Sequence, residues 1–230
     1  MSLSRGRFPA RLSLPDLDPA VLEHYRLLWR GEDLHANLAQ FPALTAATLF
    51  GRAAPLEIDI GCATGEFIVG LAADHPERRF LGVEISRKPI EHAVAKAVAR
   101  GLDNIRFLQA DMILAAALLA PQTVGAIYIH FPVPFTTTRK RKHYTYAPRL
   151  LTIYRNALVT GGRLSFVSDD QRVAAEITQA VTREAGFAPV AEADWQLALS
   201  DHLRSPYQRL WAQRKRTIWR AEFERTADMK

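Results

Sequence analysis

A single cysteine, Cys62, stands among the 230 residues of this chain, so no intramolecular disulfide can form. A protein built without disulfides is expected in a reducing compartment, the cytoplasm. Long apolar runs are missing as well: Ile113 to Ala120 is the longest candidate, far short of the roughly 18–20 residues a membrane span needs. The opening residues, Met1-Ser-Leu-Ser-Arg-Gly-Arg7, carry no apolar h-region of the kind a signal peptide uses. Neither a membrane protein nor a secreted one is expected. Internal repeats and low-complexity tracts are also absent from the sequence.

Acidic residues are in deficit, 24 against 30 Lys+Arg, for a formal charge of +6 and a pI near 9.7. That excess points only weakly to a polyanion, but its distribution says more. Arg139-Lys-Arg-Lys142 is one basic block. From His202 to Ala221 there are six basic residues and no acid, interleaved with Tyr207, Trp211 and Trp219. Surfaces that touch nucleic acid often combine cations and aromatic rings in this way. A solvated helix face or edge strand gives the same charge pattern.

What is present is an ordinary globular composition, 48% apolar and 23% charged, long enough for one good-sized core and hardly for two. Residues 1–20, with Pro9, Pro15, Pro19 and three arginines, read as a flexible basic arm ahead of a single domain over 21–230. A helix is expected at about 20–30. From Leu56 the texture becomes βαβ. Strands are expected at Leu56–Ile60, Phe80–Glu84, Ile105–Leu108, Gly125–Ile129 and Arg163–Val167. Helices are expected at Phe67–Asp74, after Ser86 as cap, at Leu150–Leu158, and along the stripe Val173, Ile177, Ala180 and Val181. Strands alternating with helices at this spacing predict an α/β fold, Rossmann-like, with a mostly parallel sheet and helices on both faces.

In such sheets ligands sit beyond the carboxyl ends of the strands, near the topological switch point. After the first of these strands comes Asp59-Ile-Gly61-Cys62-Ala63-Thr-Gly65, whose small residues let backbone pass close to a ligand. Glu84, 25 residues after Asp59 at the end of the next strand, can accept the two hydroxyls of a ribose. Asp111 is placed to reach an adenine edge. These features alone fit a nicotinamide dinucleotide and S-adenosylmethionine (SAM) about equally, and the loop discriminates. A dinucleotide needs G-x-G-x-x-G to bring a helix N-terminus onto its pyrophosphate. This loop is G-x-A-x-G preceded by an acid, and SAM has no phosphate to cradle, so SAM is the expected cofactor. Ile85, Ala110 and His130, beside the strand ends, complete the candidate set. Cys62 has no His or Cys neighbours and reads as packing, and no metal is expected.

At this point the chain resembles the bacterial tRNA (guanine-N7)-methyltransferases over roughly residues 44–225. The lead-in Phe50-Gly-Arg-Ala-Ala-Pro-Leu56 is similar to theirs. Phe131-Pro-Val-Pro-Phe135 with Arg139-Lys-Arg-Lys142 resembles their F-P-D-P-W loop and the basic run after it. Gly161-Gly-Arg-Leu-Ser-Phe-Val-Ser-Asp169 resembles their G-G-x-hydrophobic-T-D segment, and Ser205-Pro-Tyr-Gln208 followed by Trp219 their T-x-[FY]-E…W ending. The resemblance implies a class I SAM-dependent methyltransferase acting on a ring nitrogen of guanosine in tRNA. It implies SAM ligands at Asp59, Glu84 and Asp111. On the acceptor side it implies contacts from Asp169, Ser205, Gln208, Thr137, Arg139 and Tyr207. Here the sequence departs from the family. Val133 stands at the position of the catalytic aspartate, Thr137 at that of a substrate-binding lysine, and Ser205 and Gln208 replace Thr and Glu. A paralogue methylating a small molecule or another nitrogen heterocycle is therefore an alternative, and a SAM- or RNA-binding protein without turnover a second. A monomer or homodimer is expected.

Overall fold

The computed structural model describes residues 12–132, 145–190, 203 and 206–227. One sheet of eight strands organises them: β1 (Arg26–Leu28), β2 (Leu56–Ile60), β3 (Arg79–Glu84), β4 (Ile105–Gln109), β5 (Val124–His130), β6 (Leu158–Ser168), β7 (Phe187–Pro189) and β8 (Trp219–Arg225). Their order is β1-β4-β3-β2-β5-β6-β8-β7. All pairings are parallel except those of β8, which runs antiparallel to both β6 and β7. Chain order reverses between β2 and β5, which makes their carboxyl ends the switch point.

Burial on both faces explains why β2 reads as an unbroken run: all five of its residues are buried. On one face lie α4 (Glu66–Asp74) and α5 (Arg87–Ala99), with Ile68, Ile90, Ala93, Val94 and Ala97 packed on Phe80, Ile105 and Phe107. The other face carries α2 (Gly31–Ala36), α3 (Ala46–Phe50), α6 (Met112–Ala115), α7 (Pro148–Ala157) and α8 (Gln171–Arg183). In α8 the buried residues Val173, Ile177 and Val181 are the expected stripe. Among the described residues no helix is long and apolar enough to cross a membrane.

The elements differ from the sequence reading in four places. The expected helix at 20–30 stops early: α1 is Pro19–Tyr25, capped by Asp18, and the chain then straightens into β1, which pairs with β4. The boundary expected between residues 20 and 21 falls inside that helix, and Leu17 already packs against the α5 side of the core. Ser86 stands at the N-cap of α5, but its side chain makes no capping bond. Its N–H instead donates to Glu84 Oε1 at 2.8 Å. The strand expected at Arg163–Val167 begins earlier, at Leu158 directly after α7, and so contains the Gly161-Gly162 pair, where the register jumps from Val124↔Leu158 to Ala126↔Arg163. Finally, the basic 202–221 segment contains a helix, α9 (Pro206–Gln213), and the first residues of the internal strand β8.

Candidate active site

The loop after β2 is held from both sides. Gly61 and Cys62 donate their N–H groups to Val83 O at 2.8 and 3.0 Å, and Gly65 N–H closes a turn on Cys62 O. Lys96, from α5, donates to Thr64 O at 2.6 Å and pairs with Glu66 at 3.0 Å. Gly61, Ala63 and Gly65 all take left-handed φ, +82°, +49° and +77°. At Gly61 a side chain would meet nothing within 4 Å, so the loop exposes bare backbone to open space. Gly65 has the opposite reason: a Cβ there would lie 2.6 Å from Ala93 Cβ. Gly65→Ala is therefore expected to destabilise the protein by about 2 kcal/mol, from a left-handed alanine and the overlap with α5. Urea unfolding measures it.

Three carboxylates stand at or just past the carboxyl ends of β2, β3 and β4. Asp59 is only 3% exposed, and burial, with the charge of Glu84 as second cause, pushes its carboxyl up to about 8. Glu84, at the end of β3, has one oxygen tied to Ser86 N–H. Asp111, the N-cap of α6, has one oxygen accepting from Ile113 N–H at 2.9 Å. Backbone thus fixes the direction of Glu84 and Asp111 and leaves the second oxygen of each for other partners. Beside Glu84, Ile85 is 63% exposed, an apolar surface of the kind an aromatic ring covers. Ala110 is buried beneath. Cys62 points inward against Gly82, and burial together with Asp59, Glu84 and Glu66 raises its thiol well above the usual range. It is a packing residue. His130 ends β5 with its ring 4.4 Å from that of Phe67, in the first turn of α4.

The arrangement fits SAM. Bare backbone at Gly61, a buried carboxylate, two oriented carboxylates at successive strand ends and an exposed apolar side chain can hold an adenosine carrying a cationic tail. Residues 53–221 match the family model described as putative methyltransferase. The tRNA (guanine-N7)-methyltransferase of Chloroflexus aggregans is 38% identical over 229 residues, 98% of this chain and 100% of the relative. The chain belongs to the tRNA (guanine-N7)-methyltransferase family. The enzyme of that name from Rubrobacter xylanophilus is 34% identical over 94% of this chain and 96% of its own length. A 16S rRNA methyltransferase, KamB, shares the fold at 18% identity, with a TM-score of 0.56 over 78% of this chain and 92% of that one. This family member is accordingly a SAM-dependent methyltransferase.

Val133, Thr137, Arg139 and Ser205 lie outside the described residues, as do the 139–142 block and the side chain of Tyr207. Asp169, just past the end of β6, is paired with Arg216 at 2.9 Å. The Arg216 guanidinium also lies 4.2 Å from the centroid of the Trp211 ring. Gln208, on α9, is buried. A feature the sequence reading missed is a polar row on the α4 face of the sheet, where Tyr128, Ser165 and Glu222 sit side by side on β5, β6 and β8. Tyr128 donates to Glu57 at 2.7 Å, and Ser165 donates to Glu222 at 2.5 Å. Only the alternation of Glu222 and Glu224 within β8 hinted at it.

Proposed function

We propose that this enzyme methylates N7 of a guanosine in tRNA, through an acceptor pocket that differs from that of its relatives. The observation that carries this reading is the near-complete coverage by tRNA (guanine-N7)-methyltransferases, joined to the loop and three carboxylates at the switch point. Asp59 and the backbone of residues 61–65 would hold the methionine end of the cofactor; Glu84 and Ile85 its ribose and one adenine face, and Ala110 and Asp111 the adenine edge. SAM, when bound, supplies an electrophilic methyl group. The in-plane lone pair of guanine N7 would be the nucleophile that accepts it. N7 carries no proton, so no general base is needed. The chain contributes alignment and a surrounding that tolerates the positive charge arriving on the ring. The basic residues at 139–142 and on α9 would contact phosphates, and a tRNA acceptor assigns the enzyme to the cytoplasm.

A second reading, a small-molecule or other heterocycle acceptor, draws on Val133 and on the Arg216 pairing of Asp169. One experiment separates the two: transfer of tritiated methyl from SAM to bulk tRNA and to a metabolite extract, with the tRNA digested to nucleosides. Labelled 7-methylguanosine is expected. Label confined to the extract would overturn the tRNA reading. On the cofactor side, Glu84→Gln is expected to weaken SAM by about 1 kcal/mol, the difference between a charged and a neutral hydrogen-bond acceptor. Calorimetric affinity equal to wild type would remove Glu84 from the site.

A further inference from the structure

The polar row on the α4 face ends at the candidate site. His130 lies two residues beyond Tyr128 on β5, hence on the same face and one step nearer the carboxyl edge. Its Nε2 is 3.5 Å from Ser165 Oγ, and Ser165 Oγ is 2.5 Å from Glu222 Oε1. A hydroxyl has one proton to give. With that proton directed at Glu222 Oε1, whose carboxyl burial raises while the bond from Ser165 and the cations Arg163 and Arg220 oppose the rise, the Ser165 oxygen is left to accept. His130 must then donate from Nε2, which leaves Nδ1 as an unprotonated acceptor. Burial and the charge of Arg220 hold this imidazole down to about 3, so the ring is neutral throughout the working range. Phe67 packs on both Tyr128 and His130 and fixes the plane of the ring. β5 lies directly beside β2, with Tyr128 in register with Asp59, which sets His130 level with the start of the glycine loop.

We propose that His130 is a catalytic residue of the acceptor half: fixed as the Nε2–H tautomer by Ser165 and Glu222, it presents Nδ1 to a ring N–H of the acceptor base. This rests on the proposed methylation of guanosine. A guanine offers N1–H and an amino group as donors, and they become stronger donors as positive charge reaches the ring. The valine side chain at position 133 carries no acceptor atom. Ser165 and Glu222 do not touch the base; they are positioning residues that set which nitrogen carries the proton.

The test compares two amides. Asn at 130 carries an acceptor atom near the Nδ1 position, and Gln carries its polar group near the Nε2 position. His130→Gln is expected to lower kcat for tRNA methylation about tenfold, the loss of one hydrogen bond in the transition state. His130→Asn is expected to stay within about threefold of wild type. Both should bind S-adenosylhomocysteine as wild type does. Equal loss in the two variants, or a loss of cofactor affinity that matches the loss of rate, overturns the proposal. Nitrogen-15 spectra of the histidine rings give a readout independent of turnover. The wild type should show His130 protonated at Nε2 and bare at Nδ1, with Ser165→Ala mixing the tautomers. Guanosine 5′-monophosphate added with S-adenosylhomocysteine should move the Nδ1 resonance. A proton on Nδ1, or an Nδ1 signal indifferent to the nucleotide, rejects the role of His130. A wild type that methylates no tRNA rejects the proposed function instead.

Discussion

Asp59→Asn is expected to stabilise the cofactor-free protein and to cost it most of its affinity for SAM. A carboxyl whose ordinary value is 3.8 and whose folded value is about 8 holds its proton more tightly in the native state than in the unfolded chain. Stability contributed by such a group is complete below the unfolded value, falls as pH rises above it, and stops falling above the folded value. The shift corresponds to about 4 kcal/mol lost by pH 7, about 5 by pH 8 and about 6 beyond. A neutral amide of the same shape escapes this loss, less what its own N–H groups forgo in hydrogen bonds. The variant's advantage in urea unfolding should therefore widen between pH 5 and pH 8. A constant difference would show that Asp59 is not the group responsible. The same proton bears on the proposed cofactor role. A cationic ligand beside Asp59 favours the ionised form, so binding at pH 7 should release about one proton, and affinity should strengthen about tenfold per pH unit from 6 to 8, then level off. Calorimetry in two buffers of different ionisation enthalpy measures the proton. Affinity independent of pH, with no proton released, would separate Asp59 from the ligand. A site that weakens the fold in order to meet its ligand is a common compromise between stability and function.

The loop and carboxylates proposed to hold the cofactor were legible in the sequence because backbone requirements write them there. Gly61 and Gly65 both take left-handed φ in one short turn, a requirement local to a few residues, although the contact that also closes Gly65 to a side chain comes from Ala93 on α5. Asp59, Glu84 and Asp111 end or follow strands whose apolar runs are visible along the chain. The acceptor half is tertiary. Asp169 meets Arg216 from 47 residues away, and Ser165 meets Glu222 from 57, and no local pattern announces either. The elements misread were those whose composition argues against their state. β1 is three residues long, too short for any period to show. β6 contains two glycines because its register shifts there: Gly161 has φ +77°, and a Cβ on Gly162 would come within 2.8 Å of Val159 O. β8 reads as a solvated charged segment, Trp219-Arg-Ala-Glu-Phe-Glu-Arg225. It is nevertheless internal, with Phe223 in the core and Glu222 in the polar row beside Ser165. In an internal strand a charged residue needs a partner, and that partner was invisible one strand at a time.

Val133→Asp is expected to raise methylation of tRNA by roughly ten- to a hundredfold. Val133 follows Phe131-Pro132 at the end of β5, the strand beside the glycine-loop strand, and the resemblance sets it where relatives carry a catalytic aspartate. A carboxylate there would accept from the N1–H and amino edge of guanine. That hydrogen bond to a charged group, about 1.5–3 kcal/mol in strength, strengthens as the methyl group arrives and the ring becomes cationic, because both partners then carry charge. Contacts that strengthen only in the transition state raise kcat rather than lower KM, and that energy converts to the stated rate gain. The expected signature is thus a larger kcat on tRNA with SAM affinity unchanged. A pocket rebuilt for a different acceptor gives the opposite result. The new carboxylate then stands unpaired beside an apolar or smaller ring, activity on that substrate collapses, and none appears on tRNA. Single-turnover methylation of tRNA and of the metabolite extract by wild type and variant distinguishes the two outcomes. Rates unchanged on both would mean that residue 133 faces away from the acceptor and that the loop's resemblance does not extend to its chemistry.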